Sequence, residues 1–243
     1  RNPYQRTDPL GKVWTFAHDE KGNLIEAVTP GGSKTSYTYN NKGQMTDLKD
    51  ANNGITTFTF DRFGNVETVT NAGGKTITMG YDAFGFNKIS ETDTLNRVTA
   101  YTYDGNGRVT RITHPDGTYR TFSYDTCSLI SMTDENGKTS TYERDGLNRM
   151  FRATDPLGNS TAFTYDALGN VTGITDAKMQ ITAMLYDQGG RNTGITKPSG
   201  SRVEKTYDAN GNMTALKDAR SKETIFTFDD DNQPLSVQDP LGN

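Results

Sequence analysis

The chain has 243 residues with Lys+Arg 26 against Asp+Glu 30, a formal net charge of −4 whose signs are interspersed, so no basic stripe stands ready for a row of phosphates and nucleic acid is not an expected partner. Hydrophobic residues make up only 32% and the mean hydropathy is −0.77, yet aromatics reach 10%, which excludes both an oily compact domain and an ordinary disordered chain. One cysteine, Cys127, excludes an internal disulfide framework, and the sequence carries no signal-peptide pattern, no apolar run of bilayer length and no basic amphipathic helix.

The apolar residues recur. An aromatic slot falls at His18, Tyr39, Phe60, Tyr81, Tyr103, Tyr124, Arg144, Tyr165, Tyr186, Tyr207 and Phe228, spaced 21 residues apart except for one interval of 22 and one of 20. A fixed period over the whole length predicts one continuous repeat array, 1–243, in which each unit buries its apolar side only against its neighbours. Because Arg1 falls partway through a unit and Asp239-Pro240-Leu241-Gly242-Asn243 opens another, the array reads as a segment of a longer protein.

In each unit a first strand ends at the aromatic slot, with a second large residue two positions earlier, as in Phe16, Tyr37, Phe58, Tyr101, Phe122 and Phe163; Lys205 is the exception. Residues i and i+2 share a strand face, so large side chains line one face while the Thr or Ser between them takes the other. A tight turn follows, opened by Asp61, Asp82, Asp104, Asp125, Asp166, Asp187, Asp208 or Asp229, with Gly64, Gly85, Gly107, Gly169, Gly190 or Gly211 three residues on. Asp bonds the backbone ahead of it and Gly supplies the positive φ that closes such a hairpin, a region Asn also tolerates, as at Asn148 and Asn232.

The second strand carries apolar slots three residues apart, such as Val66 with Val69 and Val171 with Ile174. Three is an odd offset, so the two slots lie on opposite faces unless a bulge intervenes. A looser turn then leads to the next unit, clearest in Asp8-Pro9-Leu10-Gly11 and Asp155-Pro156-Leu157-Gly158. The fold expected is all-β: antiparallel hairpins of about 21 residues forming one curled or spiralling sheet. About 22 strands at roughly 4.8 Å each span on the order of 105 Å, too wide for a flat twisted sheet, and a tube of that width has more interior than these side chains fill.

The motif Thr164 to Asn170, TYDALGN, with TYDANGN at Thr206 to Asn212, FDRFGN at Phe60 to Asn65 and the Asp-Pro-Leu-Gly turns, strongly resembles the YD or Rhs repeat over essentially the whole chain. The resemblance implies a β-shell that spirals into a hollow cocoon, as in bacterial Rhs polymorphic toxins, toxin-complex subunits and the teneurin ectodomain. It implies a secreted or cell-surface bacterial protein whose wall encapsulates a C-terminal toxin cargo of the same polypeptide, with delivery-system or cell-surface partners. No core with Asp-dependent self-cleavage and no toxin domain is found within these residues.

Other chemistry fits less well. The Asp-rich turns match neither the helix-loop-helix calcium pattern nor the nonapeptide calcium repeat, so no metal or cofactor is expected. His18 fills an aromatic slot and His114 a turn, with no sequence reason to meet Cys127 or a particular Ser, so no catalytic residue is assigned and the chain is not read as an enzyme. Cys127 reads as a tolerated substitution in a turn that has lost its Gly. The competing function is an adhesive or carbohydrate-binding repeat domain in which Trp14, in a slot usually held by Thr, contacts a glycan.

Overall fold

A computed structural model describes residues 4–243; Arg1 to Pro3, where the opening part-unit begins, lie outside the described residues. The described residues form 23 strands and no helix. They fall into two compact units, one reaching to Thr121 and the other from Phe122 to Asn243.

The first unit holds β1 (Tyr4–Thr7), β2 (Val13–His18), β3 (Leu24–Val28), β4 (Lys34–Tyr39), β5 (Met45–Lys49), β6 (Ile55–Phe60), β7 (Val66–Thr70), β8 (Thr76–Tyr81), β9 (Lys88–Thr92), β10 (Val98–Tyr103), β11 (Val109–Thr113) and the start of β12 (Tyr119–Tyr124). The second holds the end of β12, then β13 (Leu129–Thr133), β14 (Thr139–Arg144), β15 (Met150–Thr154), β16 (Ser160–Tyr165), β17 (Val171–Thr175), β18 (Ile181–Tyr186), β19 (Asn192–Thr196), β20 (Arg202–Tyr207), β21 (Met213–Lys217), β22 (Glu223–Phe228) and β23 (Pro234–Gln238). Within each unit successive strands pair antiparallel, as β2 through β5 and β16 through β19 do, so these hairpins join edge to edge through backbone bonds.

Two kinds of ladder alternate. Inside a hairpin the register shifts next to the aromatic slot: Tyr101 pairs with Ile112 and Tyr103 with Val109, leaving Thr110 as the extra residue of a β-bulge. The bulge resolves the odd offset of the second strand, because both apolar slots now face the same way as the aromatic pair. Between hairpins the ladder is shorter and unshifted. β3 and β4, for example, pair only through Glu26 with Ser36, Ala27 with Thr35 and Val28 with Lys34, and the pairing stops three residues before Tyr39.

The second turn of each unit is not looser than the first. At Asp61 and at Asp155 alike, the opening residue's N–H donates to the carbonyl four residues on, and the Gly N–H three residues on donates to its carbonyl. Both are the compact hairpin turn in which a positive-φ residue closes the bulge. The two irregular units are absorbed at turns, as loops allow: Asp82 N–H reaches Asn87 O, five residues on, and Asp125 N–H reaches Ser128 O, three residues on.

No apolar side chain is fully buried among the described residues, and the 26.8 kDa chain exposes 16070 Å², roughly half again what a compact chain of that mass exposes. Within each unit the hairpins form a single layer. Its ladder face carries the aromatic and aliphatic slots, half-buried against one another, while the opposite face carries hydroxyls: Thr59 with Thr68 at 2.7 Å, Thr102 with Thr110 at 2.9 Å, Thr70 with Thr76 at 2.8 Å.

Candidate functional site

The repeating cell built around Tyr, Asp and Gly is the chain's recurrent constellation. The short ladder between hairpins leaves the carbonyl that opens each second strand without a strand partner, and a buried backbone acceptor needs one. The tyrosine of the following hairpin supplies it. The hydroxyl of Tyr39 donates to Leu24 O at 2.8 Å, Tyr81 to Val66 O at 3.1 Å, Tyr103 to Lys88 O at 2.7 Å, Tyr165 to Met150 O at 2.6 Å and Tyr207 to Asn192 O at 3.0 Å. Burial raises the phenol pKa of Tyr39 and Tyr103, which keeps the donated proton in place. Phe60 and Phe228 occupy the same slot without a hydroxyl, Tyr186 points its own at Met184 Sδ, 3.9 Å away, and Tyr124 ends β12 in the same slot.

Each turn aspartate accepts from the two N–H groups ahead of it: Asp166 Oδ1 takes Leu168 N and Asn170 N, both at 2.9 Å, and Asp61, Asp82, Asp104, Asp187 and Asp229 repeat the pattern. Asp208 Oδ1 takes Asn212 N at 2.9 Å, while Asp125 Oδ1, in the shortened turn, takes Cys127 N at 2.8 Å and Ser128 N at 2.6 Å. Gly64, Gly85, Gly107, Gly169, Gly190 and Gly211 all have positive φ, between 74° and 97°.

The Asn170 side chain, with the N–H groups of Asn170, Leu168 and Gly169, holds the Asp166 carboxyl below its ordinary value of 3.8 against a smaller opposing effect of burial. Asp93 and Asp145 are lowered by their Arg97 and Arg149 partners. A depressed folded-state pKa contributes stability above the unfolded value and loses it as pH falls through the folded one. Stability is therefore expected to be flat from pH 7 to about 5 and to fall steeply below 3.8 as these carboxylates protonate, read as the urea midpoint against pH.

Sequence reasoning gave no role to the residue four beyond each turn Asp, although that Asn closes the quoted motifs TYDALGN and FDRFGN. In the structure several residues at this position latch one hairpin to the next, while Asn170 bonds only within its own turn. Asn65 Nδ2 donates to Asp61 Oδ2 at 3.0 Å and to Gly85 O of the following turn at 2.8 Å, and Gln44 Nε2 reaches Gly64 O at 3.1 Å. Arginine does the same job differently: Arg191 binds Asp187 Oδ2 at 2.6 Å and Asp208 O at 2.8 Å, with its guanidinium 5.1 Å from the Tyr207 ring centre.

Trp14 stands on the ladder face two residues from Phe16, half-buried and paired with Arg6, while the equivalent slots hold Thr35, Thr56 and Thr99, so it belongs to no aromatic row of its own. His18 ends β2, His114 opens a turn and Cys127 is exposed in another. Among the described residues no group of three or more His, Cys, Asp or Glu is placed to hold a metal ion, and no helix is long and apolar enough to cross a membrane.

The family model described as RHS Repeat matches nine overlapping stretches that together cover residues 5–76, 81–127, 129–178 and 186–243. The chain belongs to the Rhs repeat family. No curated protein matches it by sequence. Solved structures similar to this Rhs array include the Photorhabdus luminescens Tc holotoxin pore, at 14% identity and a TM-score of 0.59, covering 96% of this chain and 16% of that one. The TcdB2–TccC3 complex aligns with a TM-score of 0.53 and 15% identity over 94% of this chain and 17% of that one. TcdB2–TccC3 without its hypervariable C-terminal region aligns at 0.50 and 15% over 93% and 16%. The array thus spans about a sixth of the length of the solved chains it matches, and at these identities the likeness is one of fold. The fold is that of the Rhs repeat, an all-β array of paired hairpins.

Proposed function

We propose that residues 1–243 are one continuous stretch of wall in an Rhs-type shell, secreted or displayed by a bacterium, that encloses a polypeptide toxin cargo carried on the same protein until delivery. The observation that carries this reading is that in each unit the hairpins form a layer with no buried apolar core among the described residues, stitched sideways by backbone ladders, tyrosine hydroxyls and turn side chains. Such a layer buries too little to serve as a solid domain, and lateral bonding makes it a barrier. The wall acts by exclusion, keeping proteases and bystander targets away from a chain that need not be folded, and no residue of it takes part in a reaction.

The test is protease protection of the whole parent protein. A downstream cargo is expected to survive native digestion at least tenfold longer than the same cargo expressed alone, and to lose that protection once the shell is unfolded. Equal cleavage rates for enclosed and free cargo refute the reading.

A further inference from the structure

In the first unit the turns that follow the aromatic slot carry a polar tip in three cases of five, as a solvated type I turn prefers, while Leu10 and Leu95 tip two of the other turns. Two residues beyond the opening Asp or Asn lie Lys21, Lys42 and Asn106, but the two adjacent turns at Asp61 and Asp82 carry Phe63 and Phe84 there. The additional residue of the 22-residue unit places Phe86 beside them. These three rings are 51%, 70% and 85% exposed. Phe84 and Phe86 stack with centroids 6.4 Å apart, and the Phe63 ring lies where a Cβ on Gly85 would stand. Together they expose roughly 400 Å² of aromatic surface, the size of a patch that in monomers is often functional.

Beside the patch runs a groove of about 490 Å³ between the two turns, walled by Phe60, Phe63, Met79 and Tyr81. Its charged members are Asp61, Glu67 and Asp82 against Arg62, and Arg62 already donates to Ala83 O at 3.0 Å and lies 4.6 Å from the Phe63 ring centre. The lining is therefore net acidic and aromatic, a setting that attracts a cation over the ring faces. The aromatic area falls well short of the ~800 Å² per partner of a stable dimer, which points away from a second copy and toward a short segment.

We propose that this groove and its phenylalanine rim form a docking site for a short polypeptide segment bearing Lys or Arg next to a large apolar side chain. The site does not depend on the shell reading, since it is built from two neighbouring turns and needs no enclosed space.

The test uses the 15N-labelled chain titrated with a hexapeptide of alternating lysine and leucine, and separately with its glutamate–leucine counterpart. The basic peptide is expected to shift the amides of Phe63, Gly64, Ala83 and Gly85 in a saturable way, and the acidic peptide to bind at least tenfold more weakly. The Phe84→Ser/Phe86→Ser variant, altered only at exposed positions, is expected to lose at least tenfold in affinity while its remaining spectrum is unchanged. Equal binding of both peptides, shifts confined to the strand edges at β1 or β23, or undiminished binding by the variant overturns the proposal, as does a concentration-dependent dimer in sedimentation whose formation the variant abolishes.

Discussion

Replacing Gly169 by valine is expected to destabilise its hairpin by about 2–3 kcal/mol, while Gly169→Asn costs less than half as much. Gly169 closes its turn at φ +90°, and a Cβ there meets nothing within 4 Å, so the loss comes from the backbone and not from a clash. Asn53, Asn96, Asn148 and Asn232 hold the corresponding position elsewhere at φ 61–67°, which is why asparagine is the milder substitute. The measurement is the urea midpoint of the two variants beside the parent chain. Equal effects from Val and Asn would show that side-chain bulk, not φ, sets the cost.

Removing the hydroxyls of Tyr39, Tyr81, Tyr103, Tyr165 and Tyr207 together, as Phe, is expected to cost about 5 kcal/mol in all. Each deletion strips a carbonyl of its donor, at ~1 kcal/mol, and the sites share no hydrogen-bond partner, so their effects add. The three changes in residues 1–121 and the two in 122–243 act on separate compact units and are best made as two sets. A midpoint that does not move would mean that water serves those carbonyls as well as tyrosine does. Phe60 and Phe228 already show that the slot keeps its ring without the bond, so folding itself is expected to survive.

The strands were legible because side-chain period and turn chemistry agree in most units: the aromatic at the end of the first strand, the Asp after it and the Gly three residues later each stand where the structure needs them, and the exceptions at Arg144, Asn148, Asn232 and Cys127 do not break the period by more than one residue. The bulge was legible only as a condition. The offset of three between Val109 and Ile112 demanded either a bulge or a face change, and only the register, with both residues opposite Tyr103 and Tyr101, decides between them. The equality of the two turns was hidden because the second is written in varied residues, Thr29, Asn71, His114 and Lys197 among them, whose backbone bonds are nonetheless the same. Met179 and Ser221 hold positive φ with no residue-type signal at all.

The lateral latches were harder still. Asn65 and Arg191 look like ordinary turn residues in sequence, and their second partners, Gly85 O and Asp208 O, lie 20 and 17 residues away. A pattern read one unit at a time does not contain the next unit's carbonyl. The phenylalanine rim is illegible for the opposite reason: in sequence Phe86 only falls within the one 22-residue interval, and its exposure needs coordinates.

Residue-resolved amide hydrogen exchange bears on the foundation beneath all of this, that consecutive hairpins share backbone hydrogen bonds instead of standing side by side. The ladders joining β3 to β4, β7 to β8 and β17 to β18 are predicted to be protected to within about tenfold of the ladders inside the adjoining hairpins. Fast, unprotected exchange at the joining ladders, with protection retained inside the hairpins, would contradict the account and leave a string of independent hairpins with no wall to build.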